Sequence, residues 1–253
     1  MNTIPQEQEI EYPTCDGQPM AETTLHREVM CDLIWGLGDR YADIPDIWVG
    51  GNLFLCYEKG NPSACIAPDV LMAKGVTKWD RPNYLLWDET PPSLIIEVTS
   101  LKTQEEDLYE KKPRYERIGV EEYLLFDPYG EYLRPRLQGH RLEGGRYQPI
   151  PIGDYDSLLS RTTGLTFRPE DLRLRMIDAA TKKPLWRICE IAQELARAEA
   201  RTRAALDWLA AEIEARQAAE AKIAGGREAR RAIEERIRIL EDEVGRLRRD
   251  RSG

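Results

Sequence analysis

Over residues 21–41 the apolar side chains Leu25, Val29, Leu33 and Leu37 recur at every fourth position, with Met30 and Ile34 beside them. That spacing lays one apolar stripe along a helix, so an amphipathic helix with one buried face is predicted, capped by Thr23 or Thr24. From Ile47 the pattern changes. Ile47-Trp48-Val49 and Asn52-Leu53-Phe54-Leu55-Cys56-Tyr57 read as strands broken at Gly50-Gly51. Residues 64–73 form another strand candidate around Pro68-Asp69, and the Trp-, Pro-, Asn- and Asp-rich residues 77–92 read as a long loop. Residues 93–99, SLIIEVT, are apolar nearly throughout, as strands covered on both faces are. Residues 103–118 read as a helix with Leu108, Tyr115 and Ile118 as its apolar points, although Pro113 should kink or shorten it. Residues 121–127 read as a strand ended by Pro128-Tyr129-Gly130, and residues 139–152 as a hairpin around Glu143-Gly144-Gly145. Short strands continue to about Leu174. This order predicts an α/β (α+β) domain, a mixed sheet flanked by helices, over residues 21–183, behind a flexible arm at 1–20.

After Pro184 the composition turns to Ala, Glu and Arg. Ile191, Leu195, Ala198, Thr202, Ala205 and Leu209 alternate spacings of four and three, and Ile233, Ile237, Leu240, Val244 and Leu247 do so again. Such a seam among strong helix formers predicts a long C-terminal helix over 184–253 that pairs as a coiled coil, making a homo-oligomer, a dimer first, through 184–250. A solvated single helix is the alternative. Gly225-Gly226 reads as a hinge or break, and the small or polar Ala198, Thr202 and Ala205 weaken the first half of the seam.

Composition narrows the chemistry. With 42% hydrophobic and 32% charged residues in 253, a sizeable core is available. No apolar run approaches the ~20 residues of a membrane span. The N-terminal sequence has neither the basic nor the apolar part of a signal peptide, so a cytoplasmic protein is expected. The five cysteines are odd in number and form no CxxC pair, so free thiols are expected rather than disulfides or a zinc ribbon. The two histidines, His26 and His140, are far apart in sequence, which argues against His-paired catalysis and most His-ligated metals. A metal would sit on carboxylates, which suits Mg2+ or Mn2+. The net charge of -9 disfavours tight, non-specific DNA binding by the whole chain. The six tryptophans and eleven tyrosines are expected in core packing, and Gly50-Gly51 and Gly144-Gly145 in turns rather than phosphate loops.

Glu97 is the most informative residue. A carboxylate inside Leu94-Ile95-Ile96-Glu97-Val98 is costly to bury unless it is paired or bound to metal. Asp69 follows Pro68 and precedes Val70-Leu71-Met72; alone it could be a turn residue. Two carboxylates on adjacent strands can hold divalent ions that neutralise a phosphodiester and activate water. A lysine can stabilise the developing charge. Lys111 and Lys112 are available, but Asp107 and Glu110 precede Lys111 and Arg114 by four residues, so helical ion pairs explain these charges without catalysis, and charge alone favours that reading.

Pro68-Asp69-Val70, PSLIIEVTS at 92–100, Asp107-Leu108-Tyr109-Glu110-Lys111 to Tyr115, and Gly119-Val120-Glu121-Glu122-Tyr123-Leu124-Leu125-Phe126-Asp127-Pro128, in this order, resemble the Uma-two family, catalogued as restriction endonucleases. The family is assigned to the PD-(D/E)XK nuclease superfamily. The resemblance runs from about Glu22 to Ile177. It implies a restriction-endonuclease-like sheet, a Mg2+ or Mn2+ cofactor and DNA as substrate. By position it makes Asp69 the first metal-binding aspartate, Glu97 the acidic residue of the (D/E)XK element, and Lys111 the catalytic lysine supplied from the next helix, since Thr99 stands where the motif lysine belongs. Glu22 and Glu28 are candidates for an extra acidic ligand from the first helix. A nuclease-like fold without chemistry, serving as an interaction module through its coiled coil, is the rival reading.

Overall fold

The computed structural model describes residues 12–14 and 23–250. The arm expected at 1–20 lies outside the described residues apart from 12–14, and so does Glu22.

Helix α1 spans Thr24–Arg40; Thr23 caps it by accepting the His26 amide at 3.2 Å. Its apolar stripe is buried as the spacing predicts, with Val29, Leu33 and Leu37 at or below 1% exposure. The main sheet has six strands in the order β1 (Ile47–Gly50), β4 (Val70–Lys74), β6 (Leu94–Val98), β7 (Glu122–Phe126), β8 (Leu137–Glu143) and β9 (Arg146–Pro149). β6 and β7 are parallel and the other neighbours antiparallel, so the sheet is mixed. β2 (Phe54–Cys56), β3 (Cys65–Ile66) and β5 (Asn83–Leu85) form one small sheet, and β10 (Leu158–Ser160), β11 (Leu165–Glu170) and β12 (Arg173–Asp178) another.

Both faces of the central strands are covered, which is why β6 reads as a continuous apolar run. Val70 and Met72 of β4 and Leu94, Ile96 and Val98 of β6 join α1 and the β10–β12 sheet in one cluster. Leu71, Ala73 and Ile95 point the other way and join Tyr115, Val120, Tyr123 and Leu125. Side chains alternate along a strand, so Glu97 shares the second face with Ile95. Asp69, just before β4, shares the parity of Leu71.

Several expectations are corrected. The stretch 77–92 is not wholly loop: Asn83–Leu85 pairs in parallel with β2. The helix expected at 103–118 contains a π-helical turn, Glu106–Lys111, ahead of α2, Lys112–Ile118. Pro113 has no N–H to give the carbonyl of Tyr109, and its ring crowds that group. A wider turn there relieves the conflict without ending the helix. Gly50 lies within β1 rather than in a turn. Four of the six tryptophans, Trp35, Trp79, Trp186 and Trp208, are 52–67% exposed, so core packing does not account for them. Cys56 and Cys65 are disulfide-bonded, whereas Cys31 and Cys189 are free. A parity count cannot see that β2 and β3 set Cys56 directly opposite Cys65.

Contacts divide the chain into two units, Met1–Ile191 and Ala192–Gly253. The second unit belongs to α3, Ile188–Asp250, which runs unbroken through Gly225-Gly226, so the hinge is not there. Each glycine costs about 1 kcal/mol relative to alanine. In a 63-residue helix rich in Ala, Glu and Arg, propagation from both sides offsets that cost.

Gly51 is where the fold constrains the strand entry most tightly. A Cβ there would fall 1.9 Å from the backbone oxygen of Asp69, while the Asn52 amide bonds the Pro68 carbonyl at 2.8 Å. Gly51→Ala must therefore push the two segments apart at Asp69. The expected loss is about 2 kcal/mol in urea unfolding, the middle of the range for overpacking. A stability within experimental error of wild type would contradict this close approach.

Candidate functional site

The β4–β6 register pairs Val70 with Ile96. Extending the ladder by one residue sets Asp69 opposite Glu97. The two are joined across it: the Val98 amide donates to Asp69 Oδ2 at 2.7 Å, and the Asp69 amide donates to Glu97 Oε2 at 3.3 Å. The two carboxylates expected to share a site are thus adjacent, one fully buried and one at its rim, with side-chain exposures of 1% for Glu97 and 17% for Asp69.

The π turn carries Lys111 to the same place. Its ammonium lies 3.1 Å from Glu97 Oε2 and 2.9 Å from Asp107 Oδ1, and both Lys111 and Asp107 are buried. The Asp107–Lys111 and Glu110–Arg114 ion pairs form as their spacing predicts, but only the second is at the surface. Tyr115, one turn on in α2, donates its hydroxyl to Glu97 Oε1 at 2.7 Å. Tyr123 donates to the Asp107 carbonyl at 2.9 Å, fixing the π turn against β7.

Three residues here lie beyond the expected set of Asp69, Glu97 and Lys111. Asp107 reads in sequence as a surface partner of Lys111. Tyr115 reads as an apolar helix point. His26 places Nε2 3.1 Å from Asp69 Oδ1. Its signal is the buried row His26, Met30, Leu33, Leu37 along α1, which puts an imidazole at the rim of the sheet. Of the remaining expected residues, Glu28 pairs with Arg173 instead, and Thr99 is buried on the Glu97 face of β6. A surface cavity of about 400 Å3 lined by Tyr41, Trp48, Lys78 and Trp79 contains none of these groups.

Three carboxylates face one ammonium, and the electrostatics follow. Burial pushes the Glu97 carboxyl up to about 8, with Asp69 and Asp107 adding to the rise and Lys111 opposing it. Burial would discharge Lys111, but Glu97, Asp107 and Asp69 outweigh it and hold the ammonium well above its ordinary value. A carboxyl raised on folding contributes stability that is full below its unfolded value and lost as pH rises through its folded value. Metal-free protein should therefore lose stability from about pH 4.5 to about 8 through this group. The difference in urea midpoint between wild type and Glu97→Gln across that range isolates it; a difference independent of pH would contradict the shift.

The donor set fits a hard divalent cation. Asp69 and Glu97 offer carboxylate oxygens beside each other. The buried Thr99 hydroxyl and Asp107 Oδ2 have no hydrogen-bond partner among the described residues, so the site has polar capacity in reserve. Among the described residues no group of three or more His, Cys, Asp or Glu side chains is arranged to hold a metal. Asp69 and Glu97 match the one or two carboxylates that Mg2+ takes besides its waters and a substrate phosphate. Chemically, the arrangement can hold a cation at the Asp69 rim and present an ammonium behind it.

No described helix is long and apolar enough to cross a membrane. No curated protein matches the chain in sequence. A solved structure described as a putative nuclease from Anabaena variabilis is similar at 12% identity and a TM-score of 0.45, over 63% of this chain and 87% of that one. The Uma2 family model, described as "Putative restriction endonuclease", matches residues 1–174, and the chain therefore belongs to the Uma2 family.

Proposed function

We propose that this protein is a Mg2+- or Mn2+-dependent endonuclease that hydrolyses DNA phosphodiester bonds, with Asp69 and Glu97 as metal ligands and Lys111 as the catalytic cation. The observation that carries the reading is the register that opposes Asp69 to Glu97, with the Lys111 ammonium 3.1 Å from Glu97. The family description supports the reaction class and DNA as the substrate.

A bound divalent ion would lower the pKa of water and neutralise phosphate charge. The chain's own residues do the rest. Asp69, at the rim, anchors the cation where substrate can reach it. Glu97, locked by Tyr115 and the Asp69 amide, fixes the second oxygen. Lys111 offers N–H donors to charge developing on the scissile phosphate. His26 orients the Asp69 carboxylate from α1. The reading extends to self-association through α3 and to the cytoplasm, a compartment in which Cys56 and Cys65 would be reduced unless protected by burial.

The test is conversion of supercoiled plasmid with Mg2+, with Mn2+ and with chelator, run beside Asp69→Ala and Glu97→Ala. Metal-dependent nicking lost in both variants is expected. Nicking that survives both would remove the proposed site. The rival reading, a silent module, draws on one observation: every Glu97 oxygen already has a partner within the chain. No cleavage of DNA under any condition would favour it.

A further inference from the structure

Because α3 is unbroken, its heptad phase continues across Gly225-Gly226. With Leu195, Thr202 and Leu209 at position a, Ile223, Ile237 and Val244 also fall on a, and Ile191, Ala198, Ala205, Ile233, Leu240 and Leu247 fall on d. The two halves of the seam are one register. Its middle cannot form a core: Glu212 and Gly226 sit at d, and Arg216 and Arg230 at a. The longest uninterrupted run of apolar a and d positions starts at Ile233. There Ile233, Ile237 and Leu240 are 61%, 49% and 45% exposed.

We infer that this face is covered by a second copy of the chain, in a parallel, in-register, two-stranded coiled coil nucleated at residues 233–247. The inference rests on the self-association proposed above and adds its orientation, register and seat. Two features commit it. β-Branched residues at a with leucine at d favour two parallel strands, and the sequence gives Ile237 and Val244 at a with Leu240 and Leu247 at d. Charge then favours one direction. Arg236 is at g and Glu241 at e, both exposed. A parallel pair sets each Arg236 against the partner's Glu241. An antiparallel pair burying Ile237 against the partner's Leu240 would set Glu234 against the partner's Glu241, two acids, a like-charge contact that the parallel pair does not have there.

Three measurements on the full chain decide it. Sedimentation equilibrium should give a dimer; a monomer overturns the pairing and leaves the plasmid assay of the nuclease reading untouched. In a Cys189→Ser background, Ile233→Cys should form a covalent dimer on mild oxidation. A dimer by sedimentation that never cross-links at 233 overturns the parallel register, because that antiparallel coil sets the two 233 positions 11 residues, about 16 Å, apart along the axis. Arg236→Glu should weaken the dimer about tenfold, as should Glu241→Arg, and the double charge swap should restore it, since two symmetric pairs change sign together. Failure of the swap to restore affinity overturns the g–e assignment.

Discussion

Asp69→Asn and Glu97→Gln are each expected to reduce metal-dependent strand cleavage by about 10^3-fold or more while leaving the domain folded. The replacements keep shape and most hydrogen bonds: an amide oxygen can still accept from the Val98 amide at position 69 and from the Tyr115 hydroxyl at position 97. What they remove is one negative charge from a cation site. Metal-assisted charge stabilisation is worth several kcal/mol, and each ~1.36 kcal/mol is tenfold in rate. Initial nicking rates at saturating Mn2+, paired with calorimetric Mn2+ binding, separate lost binding from lost chemistry. Weakened binding with cleavage recovered at high Mn2+ fits a ligand. Cleavage at the wild-type rate in both variants, with Mn2+ affinity unchanged, would mean the chemistry lies elsewhere.

The two carboxylates were legible in the sequence for different reasons. Glu97 stands out because a charge inside a doubly covered strand must be compensated, and the structure compensates it with Lys111 and Tyr115. Asp69 gains meaning only from the register, which no local pattern contains. The buried depth of Asp107 and Lys111 was not legible at all. Their spacing is that of an exposed helical ion pair, and what turns them inward is the π turn ahead of Pro113. Counting histidines as a pair passes over His26, whose partner is a carboxylate 43 residues away. The Cys56–Cys65 disulfide escaped for the same reason: contact across strands is not encoded in number or parity. Strand and helix identities were the legible part of the fold, because burial on one or both faces writes a period into the chain. The continuity of α3 through Gly225-Gly226 was not, because two local penalties were read without the long helix that outweighs them.

Lys111→Met should cost about 3–5 kcal/mol of stability near neutral pH, the range for removing one partner of a buried ion pair. The methionine fills the same space, but Glu97 and Asp107, each 1% exposed at the side chain, are left without their cation. Two acids without a counter-ion then sit in an apolar setting. The Glu97 value rises further, so the penalty grows as pH rises and shrinks only toward about pH 3, below the ordinary carboxylate range, where carboxyls are neutral in folded and unfolded chains alike. Adding Asp107→Asn should return part of the loss by removing one orphaned charge. The same variant tests the metal reading by a route independent of cleavage. The ammonium now occupies Glu97 Oε2, so its removal frees an oxygen for a cation. Mn2+ should therefore stabilise Lys111→Met more than it stabilises wild type, by the linkage between binding and folding. Thermal midpoints with and without Mn2+, for wild type, Lys111→Met and Lys111→Met/Asp107→Asn, make the comparison. A penalty under ~1 kcal/mol that does not vary with pH would refute the buried pair. A normal penalty with no added Mn2+ effect would leave Lys111 as a structural cation and favour the silent module over the nuclease.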